Sequence, residues 1–520
     1  MMQPMSTSAL DRALTALPAR YIGPGGAVAV LKDGEILARH SWGWSDLERR
    51  IPFTPETMFL VCSITKQFTC ALMLDQHPDP IVLDADIAAR MPLLANAPGI
   101  THLAHNQSGL RDYWASAMLC GAPVEGAFTE DDAQRLIART ASLHFTPGSR
   151  YAYCNQNFRL IGDVIAARAD RPYAALLRER ILAPAGMQTA RIAADTAAVP
   201  GGTVGYEGTP ESGFRPAVNT IIWTGDAGLA ASLDDMIAWE RHIDAHRDDP
   251  TSLYLRQSAP VHFTDGALAG YGYGLARMKL FGRDATGHGG GLRGWRSFRF
   301  YIPSERISIV VMFNHMTDPR AAALDVLAAL LGETPTAPPA VSAPAWTGRY
   351  MEPETGLATR IEPAGEGKLR LHFGTGPDQL IASPTGAYTG GTNRLEATGD
   401  TVRMTRGVDN LATTLTPIAG TASHDISGIF HNAELDATLT IVASGGGVYG
   451  AFSGELGGGA MVPLLPYGPD IWLLPMPRAL DSAAPGDWTL AFNRSPSGAI
   501  EGVTIGCWLA RRIYFTARSG

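Results

Sequence analysis

The chain has 520 residues, 45% of them hydrophobic and 18% charged, with a net charge of −8 at pH 7. That length exceeds a single compact core, which stops growing near ~250–300 residues, and the apolar content excludes global disorder. The acidic balance excludes a basic field for nucleic acid or anionic lipid, and no apolar run approaches the ~18 residues of a membrane span.

Residues 1–10 lack the charged head and apolar stretch of a secretory signal, which predicts a cytoplasmic protein. Residues 7–18 read as a helix. Residues 27–31 read as a buried strand, Asp33-Gly34 as a hairpin turn, and residues 36–42 as the returning strand. Mostly helical sequence follows. Two more strands, 297–302 and 307–313, flank a Pro303-Ser304 turn, and residues 319–331 form a closing helix. The pattern predicts an α/β (α+β) domain over 1–331, with an antiparallel sheet built from both ends and a helical insert between them. Residues 332–345 hold four prolines and no periodicity, which predicts a linker. Beyond it, turn signals recur and helical periods vanish, the signature of an all-β sandwich or barrel. This tail is self-similar at an offset of 80. Thr347-Gly348-Arg349-Tyr350 matches Ser427-Gly428-Ile429-Phe430, Ile361 matches Ile441, and Gly365, Gly367 and Gly374 match Gly445, Gly447 and Gly454. Two small antiparallel β-barrel domains are expected, 346–418 and 419–520.

The five cysteines, Cys62, Cys70, Cys120, Cys154 and Cys507, form no C-x-x-C pair. That argues against a disulfide scaffold and a zinc site, and for a reducing compartment. No G-x-G-x-x-G follows a strand and no Walker loop is present, so neither a metal nor another cofactor is expected.

Three stretches carry chemistry. Lysine occurs four times, and Lys66 lies three residues after a serine in Cys62-Ser63-Ile64-Thr65-Lys66. The sequence continues as a helix, with Ser63 at its opening and Lys66 one turn on, on the same face. The positive helix terminus and burial lower a lysine pKa and free an amine to act as base. A serine needs such a neighbour to attack a carbonyl at neutral pH. On these residues alone, an N-capping serine beside a solvated lysine is an equal account. In Pro147-Gly148-Ser149-Arg150-Tyr151-Ala152-Tyr153-Cys154-Asn155, alternate positions of a loop point Tyr153 and Asn155 the same way. Tyr153 can carry a proton and Asn155 can hold a substrate amide; a packed tyrosine in a Gly-Pro turn is the alternative. In Thr286-Gly287-His288-Gly289-Gly290-Gly291-Leu292, glycines let a substrate lie against a strand edge. His288 can join the acid–base network or line the pocket; a Gly-rich hairpin turn with an exposed histidine is the alternative.

The order S-x-x-K at a helix start, Y-x-N, then H-x-G before a C-terminal strand resembles the penicillin-recognising serine hydrolases. That family holds class C β-lactamases, D-Ala-D-Ala carboxypeptidases, esterases and D-aminopeptidases. Phe53-Thr54-Pro55-Glu56-Thr57-Met58-Phe59, Ser108-Gly109-Leu110-Arg111-Asp112-Tyr113, Phe145-Thr146-Pro147-Gly148 and Ser232-Leu233-Asp234-Asp235-Met236 extend the resemblance over about residues 10–335. It implies Ser63 as acyl-accepting nucleophile, Lys66 and Tyr153 as sharers of the proton, and Asn155 as holder of the substrate amide. His288 then stands where carboxypeptidases and most β-lactamases carry a lysine. The backbone N–H groups of Ser63 and Gly291 would form the oxyanion hole, each worth roughly 2.7–4 kcal/mol in the transition state.

Where those relatives use K-[TS]-G, this chain has His288-Gly289-Gly290, so a substrate carboxylate is less well served, although Arg293 and Arg296 can compensate. The catalytic domain followed by two β-barrels resembles the bacterial D-aminopeptidases, which release an N-terminal D-residue, typically D-Ala. An aminopeptidase must hold an ammonium, and the small-residue-rich loop 478–487 offers Asp481 for that role; a solvated surface loop is the alternative. A cysteine nucleophile at Cys62 or Cys154 lacks a spacing-matched histidine. Esterase, β-lactamase or carboxypeptidase activity, and a non-catalytic penicillin-binding-like protein, remain the competing functions. The resemblance implies a small peptide or amide with a free D-amino terminus as partner, no nucleic acid, no membrane, and allows a homodimer.

Overall fold

A computed structural model describes residues 8–333, 341–399, 401–476, 480 and 486–518. Contacts divide the chain into two compact units: Met1–Leu83 with Phe158–Val261 and Gly270–Thr336, and Asp84–Asn157 with His262–Ala269 and Ala337–Gly520.

The first unit is built on an eight-stranded antiparallel sheet in the order Ile51–Pro52, Glu35–Asp46, Gly25–Lys32, Ile307–Phe313, Trp295–Ile302, Arg283–Leu292, Leu275–Leu280 and Tyr271–Gly272. The strand near the chain start therefore pairs with one near residue 310, with Val28 opposite Val311. Asp33 and Gly34 have φ of 56° and 77°, the two positive values that a tight hairpin turn requires. The first helix, Ala9–Arg20, is capped by Ser8, whose hydroxyl accepts from the Asp11 N–H, and it passes through Pro18 instead of stopping there. The closing helix Pro319–Leu331 begins at the Asp318 cap and ends on Gly332 in the left-handed conformation.

These two helices cover one face of the sheet. Leu14, Leu17, Val326 and Leu327 pack with Val28, Val30, Phe298, Phe300, Ile309 and Val311 in one core. The alternate side chains of the same strands point the other way, toward helix Leu233–Ala245. There Glu240 grips Arg299 through Nε at 2.6 Å and again through Nη2, and accepts from Ser308. Both members of this pair are fully buried. All seven residues of Ile307–Phe313 are buried because both faces are covered, and each large side chain gains about 1.5–3 kcal/mol from burial.

The C-terminal half of the second unit is all β: a closed eight-stranded barrel followed by a half-barrel. The closed barrel runs from Gly348–Glu352 to Leu411–Pro417, and those two strands pair with each other, Met351 opposite Thr416. The following ten-stranded antiparallel sheet runs from Gly428–Asn432 to Ala510–Ala517. The offset of 80 recurs in the register. Gly348 pairs with Ile361, and Gly428 pairs with Ile441. The strand that closes each repeat keeps its partner but not the offset: Met351 pairs with Thr416, and His431 pairs with Thr516, about 100 residues on. Part of the earlier helical sequence belongs to this unit: Ala115 and Leu119 enter the same core as Ile426, Phe430, Trp488 and Phe515. No helix among the described residues is long and apolar enough to cross a membrane.

Candidate active site

Ser63 sits in a buried 3-10 turn, Cys62–Ile64, and the α-helix proper runs over Thr65–Gln76. The serine thus lies in the tight turn that opens the helix and is not the N-cap of the alternative reading. Cys62 takes a left-handed backbone, φ 52°, and redirects the chain one residue before the serine. Such a conformation in a non-glycine residue costs of order 1 kcal/mol and needs outside support. Two hydroxyl bonds supply it. Thr65 Oγ1 donates to the Cys62 carbonyl at 2.6 Å and accepts from the Leu229 N–H at 3.0 Å.

Lys66 is completely buried, as are all helix residues from Thr65 to Leu74. Its Nζ lies 2.9 Å from Ser63 Oγ and donates to the Asp226 carbonyl at 2.7 Å. The Phe158 ring lies under it, 5.4 Å from Nζ to the centroid. A serine hydroxyl against an amine in an apolar enclosure is the pairing that proton transfer to lysine requires.

The glycine-rich stretch does not turn. It lies inside the strand Arg283–Leu292, because every residue from Thr286 to Leu292 pairs with Trp295–Tyr301. The ladder on its other side, with Leu275–Leu280, stops at Gly287. Gly290 answers a steric demand: a Cβ there would lie 2.1 Å from the Val61 carbonyl oxygen and 2.3 Å from Ser297 Oγ. Ser297 Oγ also donates to that carbonyl at 3.0 Å. The strand is thus seated on the turn that holds Ser63. His288, two residues away and so on the same strand face, is buried and not the exposed turn residue of the alternative reading. Burial first, then the neighbouring Lys66 charge, pushes its pKa down to about 3, so the ring is neutral at working pH. Arg293 is buried and bound to Glu207, Nη2 to Oε2 3.2 Å, so its charge is already engaged.

In the second unit, Tyr153 is half-buried and packs against the core of the half-barrel. Asn155 opens the helix Asn155–Ala169. Its backbone N–H and its Nδ2 both donate to Asp112 Oδ2, at 2.7 and 2.9 Å. The other oxygen of Asp112 caps the helix Tyr113–Leu119 by accepting from the N–H groups of Trp114 and Ala115.

The family model for beta-lactamase matches residues 10–333, and the model for D-aminopeptidase, domain B, matches residues 340–516. A D-aminopeptidase of Gluconobacter oxydans is 54% identical, over 97% of this chain and 98% of its own. The chain belongs to the D-aminopeptidase branch of the beta-lactamase family. A D-aminopeptidase of Brucella melitensis is 47% identical over the same shares. Among solved structures, a D-amino acid amidase from Ochrobactrum anthropi SV3, complexed with D-phenylalanine, has the same fold at 21% identity. Its TM-score is 0.52, covering 62% of this chain and 98% of that one. An octameric penicillin-binding protein homologue from Pyrococcus abyssi matches at TM-score 0.53 and 21% identity, over 78% and 99% of the two chains.

Within this D-aminopeptidase frame, the first unit holds Ser63, Lys66, His288 and Gly291, the second holds Tyr153 and Asn155, and Asp481 lies outside the described residues. Two supporting groups escape a reading of sequence. Asp112 stands in a stretch that the family resemblance marks, but nothing in its spacing ties it to Asn155, 43 residues on. Tyr271, whose hydroxyl lies 2.9 Å from His288 Nε2, carries no motif at all. Among the described residues no group of three His, Cys, Asp or Glu is arranged to hold a metal ion.

Proposed function

We propose that the chain is a serine D-aminopeptidase that releases an N-terminal D-amino acid, D-Ala above all, from peptides, amides and esters. The observation that carries this reading is the buried Lys66 amine 2.9 Å from the Ser63 hydroxyl, in a chain akin to D-aminopeptidases over nearly its full length. Ser63 Oγ attacks the carbonyl carbon of the N-terminal residue while its proton passes to Lys66. The backbone N–H groups of Ser63 and Gly291 hold the resulting oxyanion. The amine of the next residue leaves with a proton relayed by Tyr153, and an acyl-enzyme ester remains. Water attacks that ester, the same groups return the proton to Ser63 Oγ, and the free D-amino acid departs. Asn155 holds the substrate amide, and Asp481 pairs with the substrate ammonium. The buried thiols fit a reducing compartment, which supports a cytoplasmic place for the enzyme. The boundary between a catalytic domain over 1–331 and the β-region after it draws support from the two family matches, and the division of that region into 346–418 and 419–520 from the closed barrel that ends at Leu411–Pro417 and the separate sheet that starts at Gly428–Asn432.

The test is hydrolysis of D-Ala p-nitroanilide beside its L-enantiomer and N-acetyl-D-Ala p-nitroanilide. Only the free-amine D-substrate should turn over, and Ser63→Ala should lower kcat by about 10⁴-fold or more. Equal cleavage of the acetylated substrate would refute the aminopeptidase reading and favour the esterase or amidase one.

A further inference from the structure

The hydrogen bonds around His288 allow one arrangement of its proton. Nδ1 lies 2.5 Å from the Gly289 carbonyl oxygen, which can only accept, so Nδ1 carries the hydrogen. Nε2 lies 2.9 Å from the Tyr271 hydroxyl, which donates to the ring's lone pair. Tyr271 comes from the two-residue edge strand Tyr271–Gly272 and is 4% exposed. Its ring meets His288 edge-on at 5.6 Å and Phe158 edge-on at 6.5 Å.

The charges facing this histidine act in one direction. Arg299, and Lys66 whenever it carries its proton, both disfavour a second proton on the ring. Arg299 stands opposite His288 across the ladder, where Glu240 holds it from helix Leu233–Ala245. Tyr254 is engaged two residues along the same strand face, against Thr286 Oγ1.

We propose that Tyr271 is a positioning residue that keeps His288 as the neutral Nδ1–H imidazole, and that this uncharged ring beside the Ser63 turn lets the site accept an ammonium-bearing substrate in preference to a carboxylate-bearing one. A lysine or an imidazolium in that place would attract a carboxylate and repel an ammonium, in a setting where little solvent screens either. The Tyr271 hydroxyl favours the state with a lone pair on Nε2. Without that donor the neutral ring loses a stabilising bond, and protonation becomes easier as the pH falls. The selective part rests on the aminopeptidase reading above; the tautomer does not.

Two measurements test the proposal on the full chain. The first is a nitrogen spectrum of protein labelled with 15N-histidine, with His288→Gln used to assign the signal. It should show Nδ1 protonated and Nε2 bare from pH 8 to pH 5. A protonated Nε2 anywhere in that range would overturn the tautomer. The second is the pH profile of D-Ala p-nitroanilide hydrolysis by Tyr271→Phe. KM should rise by about twofold between pH 7.5 and 4, relative to the unaltered enzyme, with kcat changing less, because the loss of one hydrogen bond raises the ring's proton affinity by about one pH unit. A profile parallel to that of the unaltered enzyme would sink the role given to Tyr271. Should Tyr271→Phe not fold, His288→Lys carries the test: KM for the free-amine substrate should rise at every pH below 9, and an unchanged KM would overturn selection by charge. If the unaltered enzyme cleaves no free-amine D-substrate, the aminopeptidase reading and the selective part fall together, and the spectrum still decides the tautomer.

Discussion

Asp112 serves two elements with one carboxylate. Oδ2 fixes Asn155 at the start of its helix and Oδ1 caps Tyr113–Leu119. Asp112→Asn separates these duties, since the amide oxygen can still cap while its NH₂ meets two donors of Asn155. We expect the helix to survive, with a thermal shift of a few degrees, and kcat/KM to fall by about 10²-fold through misplacement of Asn155. A kinetic constant within twofold of the unaltered value would show that Asn155 does not depend on this carboxylate. At this scale the sequence was legible where chemistry and short spacing coincide. Ser63 and Lys66 are three residues apart, and a helical turn brings them together whatever else the chain does. The groups that orient the site are distant in sequence, and only folding makes them neighbours. The neutrality of His288 was equally hidden, because it comes from enclosure and from a tyrosine on another strand.

Adjacent glycines in strand Arg283–Leu292 answer to different constraints. An added Cβ at Gly290 would strike the Val61 carbonyl at 2.1 Å, whereas at Gly289 its nearest contact is an ordinary 3.6 Å. Gly290→Ala should therefore lift the strand off the serine turn. It should cost about 1–3 kcal/mol of stability together with most of the activity. Gly289→Ala should leave the unfolding temperature unchanged, and calorimetry of the pair would decide the matter. The glycines, read as opening a strand edge to substrate with a hairpin turn as the alternative, include one at Gly290 that marks close approach within a strand, causes that composition alone does not separate. The C-terminal β-elements were easier to read. Recurring turn signals and the 80-residue offset reflect a register that pairs Gly348 with Ile361 and Gly428 with Ile441. Ser63 was read at the opening of a helix, and the left-handed backbone of Cys62 makes that opening a 3-10 turn, which the spacing of the residues did not disclose.

Across the whole molecule, several histidines are enclosed in the neutral form. Burial pushes His105 and His288 down to about 3 and His315 to about 4, and holds His144 well below the ordinary value. In the unfolded chain each takes up a proton near pH 6.5, so below that pH the unfolded state binds more protons than the folded one. Stability is then fully present above about pH 6.5 and lost as the pH falls toward 4. Each such histidine contributes a loss of about 1.4 kcal/mol per pH unit in the lower part of that window. Urea midpoints at pH 7.5, 6 and 5 should fall steadily, and a flat series would contradict the enclosure of these rings.

The two units are also interleaved along the chain, and this bears on how a ribosome makes them. Residues 84–157 emerge early, yet their partners lie at the far end. Ala115 and Leu119 complete a core with Ile426, Phe430 and Trp488, the Asp112 N–H donates to the Leu509 carbonyl, and Arg111 donates to the Arg511 carbonyl. At ~5–20 residues per second, the stretch 337–520 takes about 10–40 s to appear. For that interval the nascent chain carries an apolar surface whose cover has not been synthesised. The burden of its early life falls on the stretch between the serine and the tyrosine, and a chaperone that binds it should do so before residue 426 leaves the ribosome.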